Sequence, residues 1–160
     1  MSSKSLWIVL LAIALAPAAM AAGSSSTSRP PPAAPRAQPS DYELGVKAVQ
    51  ARDFQRAQTL FQKVTQAEPR NADAWNYLGF SQRQLRHFDQ SLAAYQNALA
   101  LNPNHRGAIE YLGELYLDLG NPDKAREQLA KLRSLCPTGC PEHDDLSKAV
   151  AAFQPTPKKS

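Results

Sequence analysis

The residues of this 160-residue chain that most specifically suggest chemical reactivity are Cys136 and Cys140, the only two cysteines in the sequence. Pro-Thr-Gly separates them, and His143 follows three residues later. In an exported protein, an even pair so close in sequence is most simply a disulfide. Closing so small a loop would stabilise the fold by roughly 2 kcal/mol through loop entropy. We therefore predict a disulfide between these two residues.

Two other uses of the pair stay open. Cys140 precedes a predicted helix, and the positive end of a helix lowers a thiol pKa, which would favour redox activity. However, three residues separate the cysteines where a thioredoxin-like site has two, and no strand-helix-strand pattern surrounds them. The cysteines and His143 could instead bind a soft metal ion, although a fourth ligand is lacking. A thiol-redox or metal-handling protein is thus the alternative hypothesis.

The other reactive residue types give little support for catalysis. His87 and His105 fall at predicted turns between helices, where we expect them to be solvated. No serine occupies a nucleophile-elbow pattern, and no glycine-rich phosphate loop occurs. Asp144 and Asp145 lie near the start of a predicted helix, where the helix dipole accounts for carboxylates. We predict a non-enzyme with no cofactor and no resident metal ion.

The elements that position these residues come from a unit that occurs three times at a constant spacing. Each copy predicts two amphipathic helices, with a glycine in the first opposite a small residue in the second, and a proline that stops the second. Such pairs must stack on their neighbours to bury a continuous core. The matching columns are Leu44, Leu78, Leu112; Gly45, Gly79, Gly113; Ala57, Ser91, Ala125; Phe61, Tyr95, Leu129; and Pro69, Pro103, Pro137.

The middle copy resembles the tetratricopeptide repeat pattern, Trp-x2-Leu-Gly-x2-Tyr followed by Ala-x3-Phe-x2-Ala and a closing Pro. Gln82 departs from it at the second aromatic place, and Asp41 and Ile109 stand where the other copies would carry Trp. The resemblance implies an all-α fold, a right-handed superhelical stack of three repeats at about 38–71, 72–105 and 106–139. The matching residues are Trp75, Leu78, Gly79, Ser91, Tyr95, Ala98 and Pro103.

Local signals predict where the helices begin and end. Ser40 and Glu43 form a capping box for the first helix, and Asn71 caps the third. The third repeat begins near Asn104. A last helix, residues 141–153, carries an apolar stripe and would cap the terminal repeat, as repeat arrays require. Its stripe consists of Leu146, Ala149, Val150 and Phe153. Residues 40–153 are thus predicted to form one folded domain.

The N-terminal residues have the layout of a secretory signal. Lys4 precedes a short apolar run over residues 6–16, and small residues around Ala21 suit cleavage there. An uncleaved anchor is the alternative. Residues 22–39 are rich in Ser, Pro and Ala and predict a disordered linker, while residues 154–160 predict a flexible tail. We therefore expect a periplasmic or secreted protein, with the bacterial periplasm favoured, and no membrane insertion after cleavage.

The charge of the chain argues against nucleic acid as a partner. The formal net charge is +4 and falls to +3 once residues 1–21, with Lys4 and no acid, are removed. The basic residues are dispersed, without an unbroken basic stripe and without the alternation of aromatic and basic residues that stacks bases. A protein or peptide is the expected partner, and self-association through the terminal repeat is a further possibility.

The resemblance implies that a partner lies in a concave groove formed by the first helix of each repeat. Tyr42, Val46, Gly107 and Tyr111 replace groups of the carboxylate clamp used by some members of the family, so that clamp is not predicted. An apolar first half beside an acidic third copy suits a segment with aliphatic anchors and a basic end. Alternatively, several of these residues support packing between repeats. The groove candidates are Tyr42, Val46, Val49, Asp73, Asn76, Phe80, Arg83, Glu110, Glu114 and Leu117.

The main functional hypothesis is an exported adaptor that holds a protein or peptide during cell-envelope assembly or secretion. The alternative is the thiol-redox or metal-handling protein centred on Cys136 and Cys140.

Overall fold

A computed structural model describes residues 39–154 of the chain. The predicted signal peptide, nearly all of the predicted linker and residues 155–160 of the predicted tail lie outside this range. The described residues form seven α-helices and no strand. These are α1 Asp41–Gln50, α2 Phe54–Ala67, α3 Ala72–Gln84, α4 Phe88–Leu101, α5 Arg106–Asp118, α6 Pro122–Leu135 and α7 Pro141–Ala152. The all-α class and the stacked helical repeat are therefore confirmed.

The predicted helix starts are formed by side-chain caps. The Ser40 hydroxyl accepts a hydrogen bond from the Glu43 amide at 3.2 Å, and the Glu43 carboxylate accepts one from the Ser40 amide at 2.8 Å. This is the predicted capping box, and it supplies acceptors to free amides of the first turn. Asn71 caps α3 as predicted. Helix α5 starts slightly later than predicted because the His105 ring caps it, accepting from the Ala108 amide at 3.2 Å.

The glycine column lets the two helices of a repeat approach closely. A Cβ placed on Gly79 would lie 2.7 Å from the Tyr95 ring, which is closer than real Cβ atoms come. On the other side of the contact, the Ser91 hydroxyl donates a 2.8 Å hydrogen bond to the Gly79 carbonyl. Gly45 faces Phe61 in the same way in the first repeat. In the second repeat, Gly79 therefore meets the predicted small residue, Ser91.

The third repeat is completed by α7 instead of by its own aromatic residue. Leu129, which takes the place of Phe61 and Tyr95, is only half-buried. The side chain that covers Gly113 is Leu146 of α7, which is fully buried. Leu146 also continues the leucine column, because it follows Leu112 at the spacing that separates the earlier copies. Helix α7 therefore occupies the place that the first helix of a fourth repeat would take, and it packs on both α5 and α6.

Within residues 39–154, no helix combines the length and the apolar character needed to cross a bilayer.

Candidate peptide-binding groove

The predicted groove residues of α1 pack mainly into the protein. The Tyr42 ring meets Phe61 edge-on, with centroids 5.7 Å apart, and Tyr77 at 6.0 Å. Val46 and Val49 are partly buried against the same core. Burial, helped by the charge of Asp73, raises the pKa of the Tyr42 hydroxyl to about 12. These contacts agree with the alternative in which residues of the first helix support packing between repeats.

Phe80 joins all three repeats. Its ring centroid lies 5.9 Å from Phe54 of the first repeat and 4.9 Å from Tyr111 of the third. Tyr111 in turn lies 6.4 Å from Tyr95. A half-buried ring in such a row stabilises the stack, so that removing Phe80 would disturb the scaffold as well as the groove surface.

Arg83 ties α3 to α5. Its guanidinium forms an ion pair with Glu114, and it donates to Asp118 at 2.6 Å. Burial lowers the pKa of Arg83, but the charges of Glu114 and Asp118 oppose burial and raise the pKa overall. The positive charge of Arg83 is thus satisfied by the protein. The side chain is held in place between two repeats and leaves little free charge for an acidic ligand.

Asp73 and Asn76 lie along α3 toward the start of α5. The exposed Asp73 carboxylate contacts the His105 ring at 2.9 Å. The prediction that His105 is solvated was wrong, because this contact and the helix cap leave its side chain only 12% exposed. Asn76 is 6% exposed, and its Oδ1 atom is buried without a hydrogen-bond partner among the described residues.

Glu110 is the most perturbed carboxylate of the groove. It is 8% exposed, and its side chain makes no hydrogen bond or ion pair among residues 39–154. Burial, together with the negative charges of Glu114, Asp145 and Glu142, raises the pKa of the Glu110 carboxyl to about 8. Arg83 opposes the shift only weakly. Glu110 is therefore a largely protonated acid at neutral pH.

Two depressions flank this part of α5. One, of about 350 Å³, lies between the C-terminal turns of α3, α5 and α7. It combines apolar walls with ion-paired side chains and is lined by Arg83, Glu114, Leu117, Asp118, Ala152 and Phe153, together with Ala149. The other, of about 280 Å³, is polar and lies at the start of α5, where Asp73, Gly107 and Glu142 contribute to its lining. The structure thus brings α3, α5 and α7 together around one surface.

The two cysteines lie on the connection between α6 and α7, and neither of them lines these two depressions. Their sulfur atoms are 2.20 Å apart, which is bonding distance, and the residues are 8% and 7% exposed. Among residues 39–154, no three His, Cys, Asp or Glu side chains converge as ligands for a metal ion.

Some residues that contact the predicted groove residues were not among the groove candidates. Tyr77 and Tyr111 occupy equivalent places in successive copies of the repeat, and α7 follows from extending the Leu112 column by one further repeat to Leu146. These signals could have been found by extending the alignment. No comparable sequence signal identifies Asp118 as a residue of this site, because only its ion pair with Arg83 in the folded protein places it there.

The fold is shared with solved structures of peptide-bound proteins. One is PcrH in complex with the chaperone binding region of PopD, at 26% identity and a TM-score of 0.61, with 70% of this chain and 84% of that chain covered. Another is the Yersinia enterocolitica type III secretion chaperone SycD with a peptide of the translocator YopD, at 18% identity, a TM-score of 0.61 and coverage of 71% and 86%.

A third is the first TPR of Spaghetti (RPAP3) bound to the HSP90 peptide SRMEEVD, at 20% identity, a TM-score of 0.62 and coverage of 70% and 89%. A search of the curated proteins found no significant match. The tetratricopeptide repeat family model matches residues 42–79 and 81–139, which is more than half of the chain. The chain therefore belongs to the tetratricopeptide repeat family.

Proposed function

We propose that this protein is an exported adaptor that binds a peptide or an extended protein segment on the surface formed by α3, α5 and α7. The observation that carries the proposal is the 350 Å³ depression, in which Leu117 and Phe153 lie beside ion-paired side chains. Apolar walls with a few fixed polar groups are typical of sites that bind peptide side chains. The peptide-bound structure of PcrH, at 26% identity, supports the same use of the scaffold.

The proposed place of action is the cell envelope, where the adaptor would hold a partner during assembly or secretion. The support is the signal-like layout of residues 1–21 and a cysteine pair suited to an oxidising compartment. We infer that Cys136 and Cys140 form a disulfide that fixes α7 on the third repeat. Because α7 contributes Ala152 and Phe153 to the depression, this link would stabilise one wall of the binding surface.

The proposal is tested by filling the depression without removing any packing. Ala152 is exposed on α7, so Ala152→Trp would occupy the depression while leaving the core intact. The matched control is Ala130→Trp, the same substitution at an exposed alanine in a different depression, between α6 and α7. Each protein is immobilised and exposed to a native envelope extract, and retained proteins are identified by mass spectrometry.

We expect a partner that is retained by the parent and by Ala130→Trp but lost by Ala152→Trp. Equal capture by all three proteins, or no capture at all, would contradict binding at this surface. Replacing Cys136 and Cys140 together by alanine separates the proposal from the thiol or metal hypothesis. The adaptor should then lose stability by about 2 kcal/mol and keep its partner at temperatures where it is folded.

A further inference from the structure

The acidic residues around Glu110 each have a basic partner, whereas Glu110 has none among residues 39–154. A carboxylate buried to this extent is stable only with a counter-charge or a bound proton. Glu110 is therefore the one acid of this group for which no side chain among residues 39–154 supplies a positive charge. The existing pairs are Glu114 and Asp118 with Arg83, Glu142 with Arg106 at 3.6 Å, and Asp145 with Lys148 at 3.0 Å.

A second, independent observation comes from acceptor atoms that lack donors. Asn76 Oδ1 and Glu142 Oε2 are both buried without a hydrogen-bond partner in the described part of the chain. The Asn76 amide nitrogen would lie 3.4 Å from a Cβ placed on Gly107, so this side chain packs against α5 one turn before Glu110. Unused acceptors call for a group that only donates hydrogen bonds, and ammonium and guanidinium groups are such donors.

Glu110 also lies on a path that a bound segment can follow. Gly107, one turn earlier on α5, lines the polar depression of about 280 Å³. Glu114, one turn later, lines the depression of about 350 Å³. A segment that occupied both depressions would therefore pass Glu110, a residue that is still 8% exposed.

From these contacts we propose that Glu110 forms a subsite for the cationic side chain of a lysine or arginine in the bound segment. Asn76 Oδ1 and the free Glu142 oxygen act as additional acceptors. The inference rests on the proposed function, because it specifies one residue of the segment that the surface would bind. The apolar depression beside Leu117 would take a neighbouring aliphatic side chain of the same segment.

Binding at this subsite exchanges a proton for a cation. The charges that face Glu110 are Glu114 on its own helix, Glu142 and Asp145 on α7, and the opposing Arg83 on α3. With the subsite empty, burial and the three carboxylates raise the Glu110 pKa to about 8, so the group carries a proton at pH 7. The incoming ammonium group replaces that proton, which leaves to the buffer, and a carboxylate-ammonium pair remains. Affinity should therefore rise with pH up to about pH 8.

The test uses a phage-displayed library of random dodecapeptides, selected in parallel on the parent protein, on Glu110→Gln and on Glu127→Gln. Glu127 is an exposed carboxylate on α6, so its variant is a control for a change in net charge. Glutamine has nearly the same shape as protonated glutamate, so Glu110→Gln should fold. We expect Lys or Arg at a constant spacing from an aliphatic position in peptides from the parent and the control. Peptides from Glu110→Gln should keep the aliphatic position and lose the basic one.

One enriched peptide is then measured by fluorescence anisotropy beside a copy in which norleucine replaces its basic residue. The parent should lose about tenfold to hundredfold in affinity for the norleucine peptide, whereas Glu110→Gln should bind the two peptides within about threefold of each other. Between pH 6 and pH 8, the affinity of the parent for the basic peptide should rise by up to tenfold per pH unit. A purely structural role of Glu110 would not produce this dependence on the peptide charge.

The outcomes separate the two proposals. Peptides that bind the parent and lose binding in Ala152→Trp, without a preferred basic residue, would overturn the subsite and leave the adaptor function standing. The same conclusion follows if the basic preference persists in Glu110→Gln. If no peptides are enriched, or if Ala152→Trp binds them equally, both proposals fail.

Discussion

Replacement of Glu110 by glutamine should change the pH dependence of stability in a specific direction. The group titrates near pH 4.5 in the unfolded chain and near pH 8 in the folded one. Between these values the folded protein binds one proton that the unfolded chain does not. The linkage relation then requires the free energy of unfolding of the parent to fall as the pH rises through this window, and to level off above it.

The magnitude follows from the size of the shift. One pH unit corresponds to about 1.36 kcal/mol, so a shift from 4.5 to about 8 has an upper limit of about 5 kcal/mol. Because the charged carboxylate can turn toward the open surface, we expect a somewhat smaller change of about 4 kcal/mol, which still corresponds to a pKa of the folded state above 7. Glutamine cannot ionise, so Glu110→Gln should equal the parent within about 1 kcal/mol near pH 4.5 and exceed its stability by about 4 kcal/mol at pH 9.

The assay is urea unfolding, followed by circular dichroism at 222 nm, at several pH values from 4.5 to 9 and without reductant. The informative quantity is the difference between variant and parent at each pH, since other titrating groups largely cancel in it. Glu127→Gln serves as the control and should differ from the parent by less than about 0.5 kcal/mol throughout. A difference for Glu110→Gln that stays constant across this pH range would refute the argument that Glu110 is a buried, protonated acid.

Two further predictions concern the packing of the repeats. Gly79→Ala should destabilise the protein by about 1–3 kcal/mol in urea unfolding because the added methyl group meets the Tyr95 ring, whereas Gly107→Ala, with its nearest neighbour 3.4 Å away, should be tolerated. Leu146→Ala should cost about 2–5 kcal/mol through the cavity it leaves under α7. Leu119→Ala, at a leucine that is 45% exposed, is the control, and equal losses in these two leucine variants would contradict the packing of α7.

Much of the fold could be predicted because its determinants are local or periodic. The Ser40 capping box and the Asn71 cap depend on residues three positions away, which the sequence displays directly. The glycine contacts could be predicted for a related reason. The two helices of a repeat are close in sequence, and the glycine and the residue it faces recur at a constant spacing. His105 was misjudged because its ring contacts Asp73, which lies 32 residues earlier in the chain and which local sequence does not place beside it.

The groove residues were harder to interpret. A helical register predicts which side of α1, α3 and α5 a residue occupies, but not whether a neighbouring helix covers it. Thus Tyr42 fell on the predicted side and proved to be packed against Phe61 and Tyr77. Arg83 likewise fell on that side, yet its charge is taken up by Glu114 and Asp118, which belong to the following repeat.

The sequence by itself determined the repeat, most helix boundaries and the glycine contacts of the first two repeats, because these depend on spacing within one repeat unit. Tertiary structure decided which polar groups are paired and which are not. Arg83 is neutralised across a repeat boundary, while Glu110, one turn from Glu114 on the same helix, has no positive partner among the described residues and holds a proton instead. The physical reason is that the energy of a buried charge depends on distances and solvent exclusion between elements, and the order of residues along the chain does not specify these.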